Sequence, residues 1–368
     1  MTNVLVITPC PSGGAPSHGF LVAERLRQAG VNTKILSKAK SGWARMLDVV
    51  FRGFLLARRH KVVFVNVFGE RAFVYESAAI LYGGLWKKRV VVMVHSGCMP
   101  EFVERWRYWA RFVLSRPDLV LVPHGYLKER LSSLGLRIDG TIPNCIELEK
   151  YKFRQRSALE PKFLYLRGMH PHYNPGMALR SFALIQREYP NALLTMAGAE
   201  GSDSAYSRSL VRKLKLRNVC FAGLVPKEEI PILADSHDIH LHTNRVENMP
   251  VSIIEMWACG LPIVGTCVGG MPYLVRNRSD GILVTSEDYQ AMAAACIELL
   301  SDSKLAKRLS CNGRARAQEL SWERVKTAWE EALALDSKSK GEITVRETGL
   351  GSSHISNDSA FHGEAPNF

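Results

Sequence analysis

The 368-residue chain has no C-x-x-C pair among its eight cysteines, at positions 10, 98, 145, 220, 259, 267, 296 and 311. Thiols without that spacing, mostly set in apolar runs, read as reduced core residues, so neither a disulfide framework nor a zinc site is expected. Asp-x-Asp is missing too, and with it a visible seat for a divalent ion beside a diphosphate. Neither a G-x-G-x-x-G nor a G-x-x-x-x-G-K-[ST] occurs after the first apolar run, which removes the main support for a dinucleotide or Walker-type site. The longest apolar runs, such as "KVVFVNVF" and "RVVVMV", are far shorter than the roughly 20 residues of a bilayer span. The start, "MTNVLVITPC", enters a strand at once without a basic leader or cleavage site, so a cytoplasmic location is expected.

What is present is a globular composition, 46% hydrophobic and 9% aromatic, in a chain long enough for two domains. The net charge of +13 is unevenly spread. Residues 1–160 hold 25 Lys and Arg against 12 Asp and Glu, 161–336 hold 20 against 19, and 337–368 hold 3 against 4. A basic first half favours an anionic partner: lipid headgroups, nucleic acid or a phosphorylated substrate. A generally solubilising surface is the plainer alternative. No recognised nucleic-acid motif accompanies the charge, and a nucleic-acid partner is not expected.

Two series of short apolar runs alternate with helical stretches. The first is "NVLVIT", "NTKILS", "KVVFVNVF", "RVVVMVH", "LVLVPH" and "GTIPN"; the second is "KFLYLRG", "ALLTMAG", "NVCFAGL", "DIHLHT", "PIVGTCV" and "GILV". Continuous Val/Ile/Leu runs separated by helices predict parallel sheets covered on both faces, an α/β chain of two doubly wound, Rossmann-like domains. Ligands of such sheets bind beyond the carboxyl ends of the strands, so two facing sheets imply an interdomain cleft. We place the first domain at 1–155 and the second at 160–320, joined by the charged stretch "NCIELEKYKFRQRSALEPK". Residues 337–368, rich in Ser, Gly and Asn, read as a disordered tail.

Several stretches could carry chemistry. In "ENMPVSIIE", Pro250 discourages helix at Met249, Ser252 and Glu255 have the spacing of a capping box, and Gly260 supplies a stop. Glu255 then reads equally as a helix cap or as a ligand, and Glu247 as a loop acid. The turn "TPCPSGGAPSHGF" could bring backbone N–H groups to an anion at a helix start, or be an ordinary strand-to-helix turn. His95 sits at the tip of the fourth strand, where a doubly wound sheet presents ligand-facing residues. His240 and His242 alternate onto one strand face, but no third ligand at sensible spacing joins them. The stretches 41–61 and 101–116 fit basic amphipathic helices in a headgroup layer, and fit equally well helices packed on a sheet with a solvated basic face.

With those pieces in place, "ADSHDIHLHTNRVENMPVSIIEMWACGLPIVGTCVGGMPYLVRNRSDGILV" (234–284) strongly resembles the signature region of family four of the glycosyltransferases, enzymes of the GT-B fold. The glutamate pair in E-x7-E spacing, "ACGLPIV", "VGGMPYLV" and "DGILV" occur there in that order, and weaker similarity covers most of the chain up to "LSWERVKTAWEEAL". The resemblance implies a retaining, metal-independent transfer of a sugar from a nucleotide diphosphate to an acceptor hydroxyl, with no cofactor. It implies that Glu247 lies against the donor hexose, that Glu255 binds the ribose diol, and that Asn248, Met249, Pro250 and Ser252 face the diphosphate. Gly13 and Gly14 match a glycine loop over the donor phosphate, and His95 a histidine near the transferred sugar. The helix 321–336 is expected to pack back on the first domain.

One departure concerns the phosphate site. The family usually has an Arg and, five residues later, a Lys after the first strand of the second domain. Here "YLRGMHPHYNPGMAL" puts Arg167 one position early and Tyr173 at or beside the Lys position, which leaves Arg167, His170, His172 or Arg245 to supply charge. Cys145 also replaces the glycine usual after Asn144. The expected partners are a nucleotide-sugar donor, a glycan or lipid-linked acceptor and an anionic membrane met from its cytoplasmic face. An epimerase or phosphorylase on the same plan, a non-catalytic scaffold and a nucleic-acid-binding protein are the alternatives.

Overall fold

A computed structural model of the chain describes residues 3–8, 18–36, 42–333 and 343–344. Each of the twelve apolar runs contains a strand, and all the pairings are parallel. The first sheet runs, in spatial order, Ile343–Thr344, Gly140–Thr141, Leu119–Val122, Arg89–Val94, Val62–Val67, Asn3–Ile7 and Asn32–Leu36. The second runs Ile282–Val284, Ile263–Thr266, Ile239–His242, Lys162–Leu166, Leu193–Ala197 and Val219–Gly223.

The unbroken apolar character of the central strands has a packing cause. All six residues of Val62–Val67 are buried because helices cover both faces of the sheet. On one face Val4, Val6 and Phe64 pack with helix His18–Gln28 and with Trp329 of helix Trp322–Leu333. On the other, Leu5, Val63 and Val65 pack under the helical segment 42–57 and helices Phe73–Leu85, Met99–Arg105 and Arg107–Leu114. The chain therefore reaches its first sheet again after completing the second, as Trp322 and Val325 sit in the first core.

Strand order reverses between Asn3–Ile7 and Val62–Val67 in the first sheet and between Lys162–Leu166 and Ile239–His242 in the second. Those two switch points are where each sheet can hold a ligand beyond its strand tips.

Of the tail read as disordered, Ile343–Thr344 lies among the described residues and pairs with Gly140–Thr141, whose outer edge offers unpaired backbone groups to an extended segment; the rest of 337–368 lies outside the described residues. One expectation needs correction. Cys220 and Cys267 are exposed and not core thiols. The charged linker is pinned to the second domain: buried Arg156 donates to the carbonyls of Ala234, His237 and Cys259 at 2.8, 3.0 and 2.5 Å. A guanidinium with that many donors can be buried because fixed carbonyls replace its water. Among the described residues no helix is long and apolar enough to cross a membrane.

Candidate active site

Glu247 stands in the loop that leaves the second switch point, between strand Ile239–His242 and helix Val251–Cys259. Its carboxylate, 12% exposed, pairs with the Arg167 guanidinium and accepts from His242 Nε2 at 3.1 Å and Asn244 Nδ2 at 2.5 Å. Its other oxygen accepts from the Asn248 backbone N–H at 3.0 Å. Burial alone would push this carboxyl up, but Arg167, His242 and the Asn248 N–H outweigh it and hold the group at about 2. The carboxylate is therefore ionised, with His242 a neutral donor whose own value is lowered by burial.

Arg167 arrives directly from the tip of strand Lys162–Leu166 and lies over the Tyr173 ring, 5.3 Å from its centroid. The two residues at which the sequence departs from the family pattern thus sit together beside Glu247. His242 escaped the sequence reading as a functional residue, although its place at the end of its strand was the same signal that singled out His95.

The first domain grips this loop from the other side. Asn248 Nδ2 donates to the His95 carbonyl at 2.7 Å, His124 Nε2 donates to the Asn248 carbonyl at 2.9 Å, and Asn144 Nδ2 donates to the Met249 carbonyl at 2.7 Å. Close approach is possible because Gly97 and Gly270 lack side chains. A Cβ on Gly97 would meet the Glu247 carbonyl carbon at 3.2 Å, and one on Gly270 the Asn248 oxygen at 2.2 Å. His95 itself is neutral, lowered to about 4 by burial, with Nε2 2.7 Å from Asn66 Oδ1 and its ring stacked on Phe68. Cys145 needs no glycine-like conformation: it is absent from the residues with positive φ, and its N–H donates to His18 Nε2 at 3.0 Å.

Glu255 is buried, accepting from Tyr151 Oη at 2.7 Å and pairing with Lys227 Nζ at 3.2 Å. The expected capping box does not form. Pro250, extended at φ −73° and ψ 119°, takes the N-cap, so helix Val251–Cys259 starts ahead of Ser252, whose hydroxyl is buried with no partner in the protein. A proline has no N–H to be capped, which lets the helix start two residues earlier than the Ser–Glu spacing indicated. Gly260 ends the helix at φ +84°, as expected. Tyr151 and Lys227 line, with His18, Arg25, Cys145 and Trp322, a small pocket of about 20 Å³ between the two domains.

Among the described residues, one expected site residue is not brought in. Arg245 turns away, its Nε 2.6 Å from Glu287 Oε1 and its Nη1 2.6 Å from the Pro171 carbonyl. Gly13 and Gly14 lie outside the described residues. His240 bonds the Leu164 carbonyl within the sheet.

Residues 149–316 match the family model for glycosyl transferases group 1. The group 1 region takes in Arg167, Lys227, Glu247 and Glu255, and stops short of His95, His124 and Asn144. The chain is 26% identical over 185 residues to the Escherichia coli O-antigen chain mannosyltransferase B, covering 49% of this chain and 46% of that protein. It is 25% identical over 166 residues to a D-inositol 3-phosphate glycosyltransferase of Jonesia denitrificans, covering 43% and 39%. In both, the match spans less than half of the relative's length. The fold resembles Anabaena Alr3699/HepE in complex with UDP-glucose, TM-score 0.76 at 16% identity over 90% of this chain and 99% of that one. It also resembles a Thermosynechococcus elongatus sucrose-phosphate synthase, TM-score 0.75 at 18% identity over 90% and 98%. The two facing sheets are the GT-B architecture.

Proposed function

We propose that the protein is a retaining glycosyltransferase that moves a sugar from a nucleotide diphosphate to an acceptor hydroxyl. The acceptor is a glycan or lipid-linked glycan at the cytoplasmic face of a membrane, in cell-surface polysaccharide or lipid-linked glycan synthesis. The observation that carries the reading is the ionised Glu247, fixed by Arg167 and His242 at one switch point, with its neighbour Asn248 held to the His95 carbonyl of the other domain.

A carboxylate has only acceptor sites, so Glu247 suits the hydroxyls of a hexose. Arg167, Lys227 and the N-terminus of helix Val251–Cys259 supply the positive charge that a leaving diphosphate needs, without a dedicated metal seat. Glu255 keeps lone pairs for a ribose diol beside those used by Tyr151 and Lys227. Retention of configuration follows the resemblance of the E-x7-E region.

The test is a thermal-shift screen of nucleotide sugars followed by transfer assays on Glu247→Ala. A donor at 100 times its dissociation constant adds about 2.7 kcal/mol of stability. Glu247→Ala is expected to stay folded and lose transfer; near wild-type transfer would remove the assignment. Stabilisation by no donor at all would favour a non-catalytic scaffold. Release of free nucleotide without an acceptor, or dependence on inorganic phosphate, would point to an epimerase or a phosphorylase.

A further inference from the structure

Ten of the thirteen large apolar side chains that stand exposed among the described residues lie on one face, the outer side of the helical layer over the first sheet. In the segment 42–57, Val49, Gly53 and Ala57 turn inward, while Trp43 (76% exposed), Leu47, Phe51 and Leu55 (67%) follow one another every four residues on the outside. Helix Phe73–Leu85 buries Phe73, Ala79 and Ile80 and leaves Val74, Leu81 and Leu85 out. Beyond it Trp106, Tyr108 (89%) and Phe112 protrude, while Ala110, Val113 and Leu114 fill the core. The segments form one surface: Trp86 Nε1 donates to the Phe54 carbonyl at 3.1 Å, and the Phe73 and Trp109 rings are 4.9 Å apart. Each helix packs on the sheet, as one of the two readings of these stretches had it, and still presents apolar groups to the outside.

Charge decides the occupant. Residues 42–116 carry 13 Lys and Arg against 5 Asp and Glu. Three of those arginines lie beside the protruding aromatic layer: Arg58 over Trp86, Arg105 over Trp106 and Arg116 over Phe112, at 5.5, 5.7 and 4.4 Å from the ring centroids. A second copy of the chain would bring the same positive excess and be repelled. Apolar tips ringed by guanidinium groups match the boundary of an anionic bilayer, where rings enter the acyl edge and cations meet phosphates.

We infer that this face, the outward sides of 42–57, 73–85 and 106–112, docks the protein on an anionic lipid bilayer. The inference rests on the proposed function for its setting and gives it a geometry. Strand Arg89–Val94 ends at His95, and helix Met99–Arg105, which leads to Trp106, starts four residues later. The docked face is therefore joined to the cleft through residues 96–98, and a lipid-linked acceptor reaches the cleft from the first-domain side while the second domain stays in solvent.

Flotation of the full chain with phosphatidylcholine vesicles, with and without phosphatidylglycerol, tests this. Wild type is expected to float with the anionic vesicles only, and less so as salt rises to about 0.5 M. The Trp43→Ser/Phe51→Ser/Phe112→Ser variant, and separately Arg58→Glu/Arg105→Glu, should each weaken partitioning about tenfold or more with unchanged circular dichroism. Equal binding to both vesicle types, no binding, or variants that float like wild type overturns the proposal. So does concentration-dependent dimerisation through this face without vesicle binding, which assigns it to a second copy. Because Glu247→Ala should float like wild type, failure of the glycosyltransferase reading would leave this result unaffected.

Discussion

Arg167 and Glu247 form an ion pair at the switch point of the second sheet, one side chain leaving strand Lys162–Leu166 and the other the loop after Ile239–His242. The pair accounts for the place of the arginine that stands one position early after its strand. The early arginine fixes the Glu247 carboxylate and keeps its positive charge at the switch point, and its stacking on Tyr173 fixes the arginine in turn.

Replacing Arg167 with Ala should therefore show first in the pH dependence of stability. Glu247 is lowered from an ordinary 4.5 to about 2, so the folded state gains about 3 kcal/mol that is fully present above about pH 4.5 and is lost as pH falls towards 2. Without the guanidinium, burial pushes the carboxyl up, and the gain disappears at neutral pH. Urea unfolding at several pH values should show the variant less stable by about 2–4 kcal/mol near pH 7, with the gap closing at acid pH. Curves that stay parallel from neutral to acid pH would mean that the pair does not control Glu247. Arg167→Lys should restore part of the difference, because the charge returns without the planar fork.

A second carboxylate behaves with the opposite sign. Glu76, fully buried in helix Phe73–Leu85, accepts the backbone N–H groups of Phe68 and Gly69 at 3.0 and 3.2 Å, and so shapes the turn whose Phe68 stacks on His95. Burial raises it to about 8 despite those two bonds. Between its unfolded value and about 8 the folded state binds the extra proton, so its contribution is full at low pH and declines as pH rises through that window. Glu76→Gln should flatten the fall in stability between about pH 5 and pH 8, which denaturation at fixed pH steps measures directly. An unchanged slope would show that Glu76 titrates normally.

The sheets were legible because parallel strands buried on both faces leave continuous apolar runs, and helices between them leave no room for hairpins. The glutamate pair was legible through its spacing and the proline and glycine around it. The grip on the loop was not. His124, Asn144, Tyr151 and Lys227 are single polar residues whose partners lie from 28 to 124 positions away, as Lys227 to Glu255 and His124 to Asn248, and no local period marks them. His124 did carry one readable signal: like His95, it ends an apolar run, "LVLVPH". Arg245 misled because nearness in sequence to Glu247 does not fix side-chain direction in a loop; it points to Glu287. Ser252 misled because the capping-box spacing ignored a proline able to take the N-cap.

Gly270→Ala should be far more costly than its ordinary backbone implies. Its φ of −79° suits any residue, so the objection is space alone: the new Cβ would stand 2.2 Å from the Asn248 carbonyl oxygen and 2.3 Å from His124 Cε1. Neither can yield without parting the loop from the first domain. A loss of about 2–3 kcal/mol is expected. Gly30→Ala gives the contrast, as its φ of +86° is strained while nothing lies within 4 Å, and about 1 kcal/mol should be lost. Equal losses in chemical denaturation would show that the Gly270 contact relaxes.

His124 has two roles that substitution can separate. Its Nδ1 accepts from the Tyr126 N–H at 3.2 Å and caps helix Gly125–Ser133, while its Nε2 donates across the cleft to the Asn248 carbonyl. Burial holds the ring at about 4, hence neutral and able to do both, and this contribution is complete above about pH 6.5 and declines as pH falls towards 4. His124→Asn keeps an oxygen for the cap but ends short of the Nε2 position and leaves the Asn248 carbonyl without its donor, so about 1 kcal/mol of stability should be lost. Donor binding, read by calorimetry, should weaken about 5–10-fold, the value of one hydrogen bond that positions the loop. His124→Ala loses the cap as well and should cost about a further 1 kcal/mol of stability. If both variants bound donor as wild type does, the first domain would only touch the Glu247 loop without setting its position. If Asn lost as much stability as Ala, the cap would not be its independent role.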